Sequence, residues 1–180
     1  MDVALTRWIN APAGMHPTLD TVLVGFTQFG VPLIVLVVAL QWWTGEDRTH
    51  VRHAALASGL SFLLGLAINQ AILLFIHRIR PYDAGVSHLI IAPSTDWSFP
   101  SDHATASMAV VAAFAMQRLP RRTLALFLLA FMVCWSRIYV GTHYVTDVLG
   151  GACTGILAAI IVRIGYREGT RLDKWTTNIL

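Results

Sequence analysis

Long apolar runs restrict the fold of this chain more than any other feature of its sequence. The first run extends from about Leu19 to Trp43. A helix of that length, rising about 1.5 Å per residue, crosses the roughly 30 Å of hydrocarbon in a bilayer. Hydrophobic residues make up 56% of the 180 residues and charged residues only 13%, whereas about a quarter of a soluble domain is charged. The sequence therefore predicts an all-α, polytopic membrane protein whose length fits one compact helix bundle.

Five apolar runs of this kind are predicted to cross the membrane. They cover, with approximate limits, residues 19–43, 54–76, 100–119, 123–139 and 144–164. We expect them to form a single domain, residues 1–180, with a motif-bearing core at about residues 60–155. Within the last run Gly151 and Gly155 are four residues apart. This spacing either permits two helices to approach closely or is incidental.

The segment before the first run has a different character. It mixes Val3, Leu5 and Trp8 with Asp2 and Arg7. Such a pattern is typical of a short amphipathic helix at the membrane interface, with Trp8 as an aromatic anchor. A frayed terminus is the alternative interpretation.

Basic residues are divided unevenly between the two sides of the membrane. Five spans place the termini on opposite sides. The side of the N-terminus holds four basic residues, Arg7, Arg78, Arg80 and Arg137, and the other side holds nine, Arg48, Arg52, Arg118, Arg121, Arg122, Arg163, Arg167, Arg171 and Lys174. The positive-inside rule therefore places the second side in the cytoplasm and the N-terminal side outside.

Three polar clusters lie at span ends on the N-terminal side. They comprise residues 77–82, 99–103 and 136–147. Because successive spans run in opposite directions, we expect these clusters to converge at one membrane face. Snorkelling accounts for isolated arginines at an interface, but it explains neither His103 nor the pair formed by His143 and Asp147.

The pair formed by His143 and Asp147 suits nucleophilic catalysis. Residues four apart on a helix share one face. Asp147 is then placed to accept the N–H of one imidazole nitrogen, which leaves the other nitrogen free to attack phosphorus. His103, on the opposite side of a bound phosphate, would protonate the departing oxygen and later activate water. The alternative for residues 136–147 is a Ser/Thr-rich loop with a surface salt bridge.

Other polar residues in the clusters suit a phosphate site. Arg80 and Arg137 carry planar guanidinium groups that clamp phosphate oxygens. Ser101 accompanies the first N–H groups of a helix that begins after Pro100, a position that favours an anion. The sequence shows no clustered carboxylates of the kind that hold magnesium. We therefore expect no metal and no cofactor.

These three clusters resemble the motifs of the type-2 phosphatidic-acid phosphatase superfamily, a group of membrane lipid phosphatases. The matching residues are Arg80-Pro81, Pro100-Ser101-Asp102-His103, and Ser136-Arg137 with His143 and Asp147. The resemblance implies a helical bundle, a phosphohistidine intermediate and a lipid phosphate substrate. It assigns His143 as nucleophile, Asp147 as its orienting partner, His103 as general acid, and Arg80, Ser101 and Arg137 as phosphate ligands, to which we add the neighbouring Ser136.

Two positions depart from the usual motifs. Leu73 stands where the first motif usually has a lysine, and Asp102 where the second usually has a glycine. Both changes resemble the undecaprenyl-diphosphate phosphatase branch related to the bacitracin-resistance proteins. We expect Arg78, or protonated His77, to supply the missing cationic contact with the phosphate. We also place Asp102 in the phosphate site, where it aids proton transfer through His103, binds only water, or caps the third span.

The predicted activity is hydrolysis of undecaprenyl diphosphate to undecaprenyl phosphate and inorganic phosphate. The resemblance implies a location in the bacterial cytoplasmic membrane, with the active site facing the periplasm or the cell exterior. We expect the lipid diphosphate and membrane lipids as partners, and no nucleic acid; the oligomeric state is not predicted. The loop at residues 83–98 is a candidate for substrate gating.

Three other functions are alternatives to this one. The same chemistry could act on another lipid, such as phosphatidylglycerol phosphate or phosphatidic acid. Vanadium haloperoxidases share the phosphate-site motifs, but they are soluble. A lipid-binding or transport protein with a vestigial site would not need His103, His143 and Asp147 together.

Overall fold

The computed structural model describes residues 1–45 and 47–178, and its secondary structure there is entirely helical. The helices are α1 (Asp2–Asn10), α2 (Pro17–Leu40), α3 (Arg48–Leu73), α4 (Asp102–Met116), α5 (Pro120–Tyr139), α6 (Val145–Gly165) and α7 (Arg171–Thr177), and a 3₁₀ turn, Gln41–Trp43, extends α2. The prediction of an all-α bundle is confirmed.

Within the described residues, four helices are long and apolar enough to cross a membrane. They are α2 with its 3₁₀ extension, α3, α5 and α6. The third predicted span, at about residues 100–119, is instead the shorter helix α4 of 15 residues, about 22 Å long at 1.5 Å per residue. Most of its residues are buried, so α4 lies at the centre of the bundle rather than against lipid.

Helix α4 nevertheless runs from one end of the bundle to the other. Near its start, Asn69 of α3 donates a hydrogen bond to Asp102 at 2.7 Å. At its end, the carbonyl oxygen of Gln117 lies 2.9 Å from the imidazole Nε2 of His50, near the start of α3. The chain therefore traverses the bundle five times, and the ends of α3, α5 and the loop before α4 meet at one end.

Close contact between α4 and α6 depends on the paired glycines of α6. A methyl group added at Gly155 would press on the carbonyl oxygen of Thr105 and lie 2.7 Å from the backbone nitrogen of Ala109. A methyl group at Gly151 would press on the carbonyl oxygen of Ser101. The spacing of these glycines is therefore not incidental, because it lets the two backbones touch beside the N-terminus of α4.

The N-terminal segment forms helix α1 at the same end of the bundle as the polar clusters. Its apolar side chains Val3, Leu5 and Trp8 are exposed, while Thr6 and Asn10 are buried against the protein. The structure therefore favours the amphipathic helix over the frayed terminus.

Candidate active site

A cavity of about 120 Å³ lies where the polar clusters meet. It is lined by Leu73, Arg80, Ser94, Asp96, Trp97, Pro100, Asp102, His103, Arg137 and His143. Since one water molecule takes about 30 Å³ in the liquid, the cavity is of the size of one phosphate group and far smaller than a lipid. Two histidines and two arginines surround this space, so the polar clusters converge as the sequence predicts.

A much larger concave surface, about 420 Å³, lies between α2 and α3. Its lining is almost wholly apolar and includes Val35, Leu56, Phe62 and Leu63. No titratable side chain contributes to it. We therefore place the candidate active site in the smaller cavity, because its lining includes the groups that acid–base and phosphate chemistry need.

His143 lies in the turn between α5 and α6, with both ring nitrogens constrained. Its Nδ1 is 2.8 Å from the carbonyl oxygen of Ser98, which can only accept a hydrogen bond. Its Nε2 is 3.4 Å from Nη1 of Arg80, which can only donate one. Both contacts require the same tautomer, in which Nδ1 carries the proton and the Nε2 lone pair accepts from Arg80 at the cavity wall.

The imidazole of His143 is also held in its neutral form. Burial lowers its pKa from 6.5 to about 4, and the positive charges of Arg137 and Arg80 act in the same direction, against the opposing effect of Asp147. A neutral imidazole with an unprotonated Nε2 is the nucleophilic form of the side chain.

Asp147 occupies a different place from the one predicted. His143 precedes the first residue of α6, so the two side chains do not share a helix face, and Asp147 Oδ2 lies 3.7 Å from His143 Nδ1. The carboxylate instead accepts hydrogen bonds from the Ser98 hydroxyl at 2.5 Å, the Tyr144 backbone N–H at 2.9 Å and the Arg78 guanidinium at 2.6 Å. Asp147 therefore acts on His143 mainly through Ser98, whose backbone carbonyl bonds the ring and whose hydroxyl bonds the carboxylate.

Arg80 is fixed in place before any ligand arrives. It is 4% exposed and donates from Nη1 to the carbonyl oxygen of Thr142 at 2.9 Å. It also donates from Nε to the carbonyl oxygen of Asp96 at 3.0 Å and from Nη2 to the carboxylate of Asp96 at 2.8 Å. The backbone carbonyls orient the guanidinium, and the Asp96 carboxylate is its counter-ion.

Arg137 and Ser101 have unused hydrogen-bonding capacity. Arg137 is 6% exposed, and its Nε has no hydrogen-bond partner among the described residues. The hydroxyl of Ser101, between the cavity-lining Pro100 and Asp102, is fully buried and has no partner in the same part of the chain. Leaving such a group unpaired costs about 1–3 kcal/mol. An anion in the cavity would offset that cost for Arg137, which lines the cavity, whereas Ser101 is not part of the lining.

The second polar cluster lies in the first turn of α4. Asp102 and His103 are its first two residues and both line the cavity. Asp102 does not cap the helix; its carboxylate accepts from Asn69 of α3. Leu73, which stands in place of the lysine of related motifs, also reaches the cavity wall.

Besides Ser101, two residues that were expected to bind phosphate lie outside the cavity lining. Arg78 is not part of the cavity lining; its guanidinium is engaged by Asp2 and Asp147. The hydroxyl of Ser136 is fully buried, where it donates to the carbonyl oxygen of Val133 at 2.7 Å and lies 2.8 Å from the Thr27 hydroxyl. Ser136 thus joins α5 to α2. Arg78 forms an ion pair with Asp147 outside the cavity lining.

The structure adds site residues that the motifs do not contain. Ser98 and Asp96 belong to the loop at residues 83–98, and they contact His143, Asp147 and Arg80. The one feature of the sequence that points to these residues is the position of their loop, which lies directly before the second polar cluster and after the first. Its contacts give the loop a part in the site itself.

The fold is that of a multi-pass membrane protein, with two histidines and two arginines around a small cavity at one end of the bundle. The model of the PAP2 superfamily matches residues 54–171. The chain belongs to this superfamily.

The chain is similar to individual proteins along most of its length. The chain is 30% identical over 163 residues to an undecaprenyl-diphosphatase, BcrC, of Bacillus subtilis, covering 89% of this chain and 82% of the relative. It is also 30% identical over 168 residues to phosphatidylglycerophosphatase B of the same organism, covering 85% and 77%. The crystal structure of Aquifex aeolicus LpxE superposes with a TM-score of 0.69 at 25% identity, covering 92% of this chain and 95% of that one.

Proposed function

We propose that this protein is an undecaprenyl-diphosphate phosphatase that works through a phosphohistidine at His143. The observation that carries the phosphatase assignment is the tautomer of His143, whose unprotonated Nε2 lies between Arg80 and the cavity while Nδ1–H is held by Ser98. The Nε of Arg137, which lines the cavity and has no hydrogen-bond partner among the described residues, supports binding of an anion there. A site that had lost its activity would not require these groups to keep their positions relative to one another.

The first chemical step transfers the terminal phosphoryl group to His143. Nε2 attacks phosphorus, the N–P bond forms, and the bond from phosphorus to the bridging oxygen breaks. Undecaprenyl phosphate leaves with the electron pair of that bond. His103, which takes up a proton when the anionic substrate binds beside it, donates that proton to the leaving oxygen. Arg80 and Arg137 stabilise the charge that develops on the transferring oxygens.

The second step regenerates the enzyme. His103, now neutral, takes a proton from a water molecule that attacks the phosphohistidine. The N–P bond breaks, inorganic phosphate forms, and His143 recovers its lone pair on Nε2. The Nδ1–H···O=C contact with Ser98 persists through both steps, so the ring keeps its orientation. No metal takes part in this scheme.

The relationship to the Bacillus undecaprenyl-diphosphatase along most of both chains supports the proposed substrate. The small cavity accepts one terminal phosphate, and the prenyl chain stays in lipid. The nine basic residues at the end opposite the cavity, against four near it, support a site on the outer face. Undecaprenyl diphosphate on that face would reach the cavity without crossing the membrane.

A second lipid phosphate is the alternative substrate. The equal identity to phosphatidylglycerophosphatase B favours phosphatidylglycerol phosphate as that candidate. The same residues and the same two steps would serve it. Its leaving group is an alcohol rather than a phosphate, so it depends more strongly on a proton from His103. A haloperoxidase is disfavoured by the four long apolar helices.

The test is phosphate release by the purified protein in excess chelator. Undecaprenyl diphosphate, phosphatidylglycerol phosphate and phosphatidic acid are compared, and acid-labile phosphoprotein is trapped by rapid quench. We expect the highest kcat/KM on undecaprenyl diphosphate, no effect of chelator, and loss of turnover and of labelling in His143→Ala. His16→Ala, an exposed histidine at the start of α2, is the matched control. A higher kcat/KM on a glycerolipid would overturn the substrate, and an active His143→Ala the mechanism.

A further inference from the structure

Helix α1 turns a polar stripe toward the protein and an apolar face away from it. Asp2, Thr6 and Asn10 are spaced four residues apart and so share one face. Thr6 is 0% exposed and Asn10 4%, whereas Trp8 on another face is 68% exposed. The buried face of this helix therefore makes specific hydrogen bonds in addition to the apolar contacts of Ile9.

Asp2 binds the N-terminus of α6. Its carboxylate accepts from the backbone N–H of Thr146 at 3.1 Å and from the Thr146 hydroxyl at 2.7 Å. Thr146 is in the first turn of α6, where backbone N–H groups have no partner within the helix. A carboxylate there supplies the cap and complements the helix dipole. One helix is thus capped by a residue of another.

Asp2 also fixes the guanidinium behind Asp147. Arg78 donates from Nη2 to Asp2 and from Nη1 to Asp147, each at 2.6 Å, and its guanidinium lies 3.8 Å from the centre of the Tyr144 ring. Burial acts to lower the pKa of Arg78, but the hydrogen bond to Asp2 and the charge of Asp147 outweigh it and raise the pKa. Arg78 is therefore a permanent positive bridge between two carboxylates.

Thr6 and Asn10, the other two residues of the stripe, contact the α5–α6 turn that carries His143 and the loop beside it. The Thr6 hydroxyl accepts from the backbone N–H of Val145, the first residue of α6, at 3.2 Å. The Asn10 side chain donates to the carbonyl oxygens of Tyr139 at 2.7 Å and His88 at 2.9 Å, and accepts from the His88 N–H at 2.7 Å. Asn10 thus ties the end of α5 to the loop that carries Ser98.

We propose that α1 is a positioning element of the active site, in which Asp2 acts through Arg78 and Thr146 to set the place of Asp147 behind His143. The stripe contacts both ends of the α5–α6 turn, so a shift of α1 moves the turn that carries His143. Asp2 touches no cavity atom and acts only through these residues. This inference rests on the proposed phosphatase function for its kinetic consequence.

The kinetic test compares Asp2→Ala with Asp2→Glu and with Arg7→Ala, an exposed residue of the same helix. A displacement of about 1 Å at a reacting group costs up to about 100-fold in rate. We expect Asp2→Ala to lower kcat by about 10- to 100-fold with KM unchanged. Asp2→Glu should restore part of the loss, because it returns the charge to Arg78, and Arg7→Ala should match wild type. Equal kcat in Asp2→Ala and Arg7→Ala would overturn the inference, as would a rise in KM with kcat unchanged.

A second readout does not depend on activity. Hydrogen–deuterium exchange of the full chain in nanodiscs is compared for wild type, Asp2→Ala and Thr6→Val. We expect faster exchange at the amides of Val145 and Thr146 in the variants, with the amides of α7 unchanged. Unchanged exchange at α6 would overturn the inference even if wild type is active. If wild type hydrolyses none of the lipids, the proposed function fails, and exchange alone decides whether α1 holds this turn.

Discussion

The backbone carbonyl of Ser98 accepts the hydrogen bond from Nδ1 of His143, at 2.8 Å. This contact, rather than a direct bond to a carboxylate, sets the tautomer of the proposed nucleophile. Asp147 is 3.7 Å from the same nitrogen and bonds the Ser98 hydroxyl instead. The loop before α4 is therefore the immediate support of the imidazole.

The first prediction concerns the protonation of His143. Its pKa is lowered from 6.5 to about 4 by burial, so the neutral form should persist as the pH falls from 7 and be lost only near pH 4. ¹⁵N NMR of histidine-labelled protein in nanodiscs, assigned with His143→Gln, should show a protonated Nδ1 and an unprotonated Nε2 throughout the range above that pH. A titration midpoint near the ordinary histidine pKa, or a proton on Nε2, would refute the assignment.

The second prediction separates the two atoms that Ser98 contributes. Ser98→Ala removes the hydroxyl donor to Asp147 but keeps the carbonyl acceptor for His143. A lost hydrogen bond to a charged group is worth about 1.5–3 kcal/mol, and we expect at least about a tenfold decrease in kcat. His143→Ala should abolish turnover altogether. Ser58→Ala is the control, because Ser58 is a buried serine of α3 that lies 15 residues before Leu73 at the end of that helix. If Ser98→Ala had the same kinetics as this control, the Ser98 hydroxyl would have no role.

The third prediction concerns Asp96, whose carboxylate is the counter-ion of Arg80. A phosphate oxygen must compete with this carboxylate, 2.8 Å from Nη2. The Asp96 side chain is 56% exposed, and such ion pairs contribute about 0.2–1 kcal/mol. Asp96→Asn should therefore tighten inhibition by inorganic phosphate by up to about fivefold, while the backbone carbonyl still orients Arg80.

The control for that measurement is Asp83→Asn, an exposed aspartate in the same loop. It changes the net charge of the loop by the same amount without removing a contact to Arg80. Equal tightening in both variants would mean that general charge, and not the specific pair, is responsible. Weaker phosphate inhibition in Asp96→Asn would show that Asp96 supports the anion site.

The fourth prediction concerns the contact between α4 and α6. A methyl group at Gly155 would lie 2.7 Å from the backbone nitrogen of Ala109, and backbone cannot give way as a flexible side chain would. Gly155→Ala should destabilise the fold by about 1–3 kcal/mol, as overpacking does. Gly59→Ala is the matched control, since a methyl group there meets nothing within 4 Å. The midpoint of thermal unfolding in one detergent should fall for the first variant only.

The sequence predicts the helices and their common end because both follow from local pattern. Runs of apolar residues specify spans, and their alternation brings residues such as Arg80, His103 and Arg137 to one side. The shortness of α4 was not evident, because small apolar residues such as Ala109 suit either lipid or a helix interface. The close packing beside Gly155 is what places α4 inside the bundle.

Roles that depend on loop geometry are a different matter. Four-residue spacing predicts that His143 and Asp147 share a helix face, but the helix begins after His143. Arg78 is predicted to be a phosphate ligand because its charge is evident from the sequence. Its actual partner Asp2 is 76 residues away in the chain, and no local pattern connects the two. Ser98 acts through a backbone carbonyl, which every residue has, so no sequence pattern could single it out.

The pair formed by Arg80 and Asp96 changes what substrate capture requires. A solvent-exposed guanidinium would have to be dehydrated each time a ligand arrived, at a large cost in free energy. Here the guanidinium has already lost its water and is balanced by a carboxylate on a loop. Binding is then an ion exchange, in which one anion replaces another on a cation that never returns to solvent.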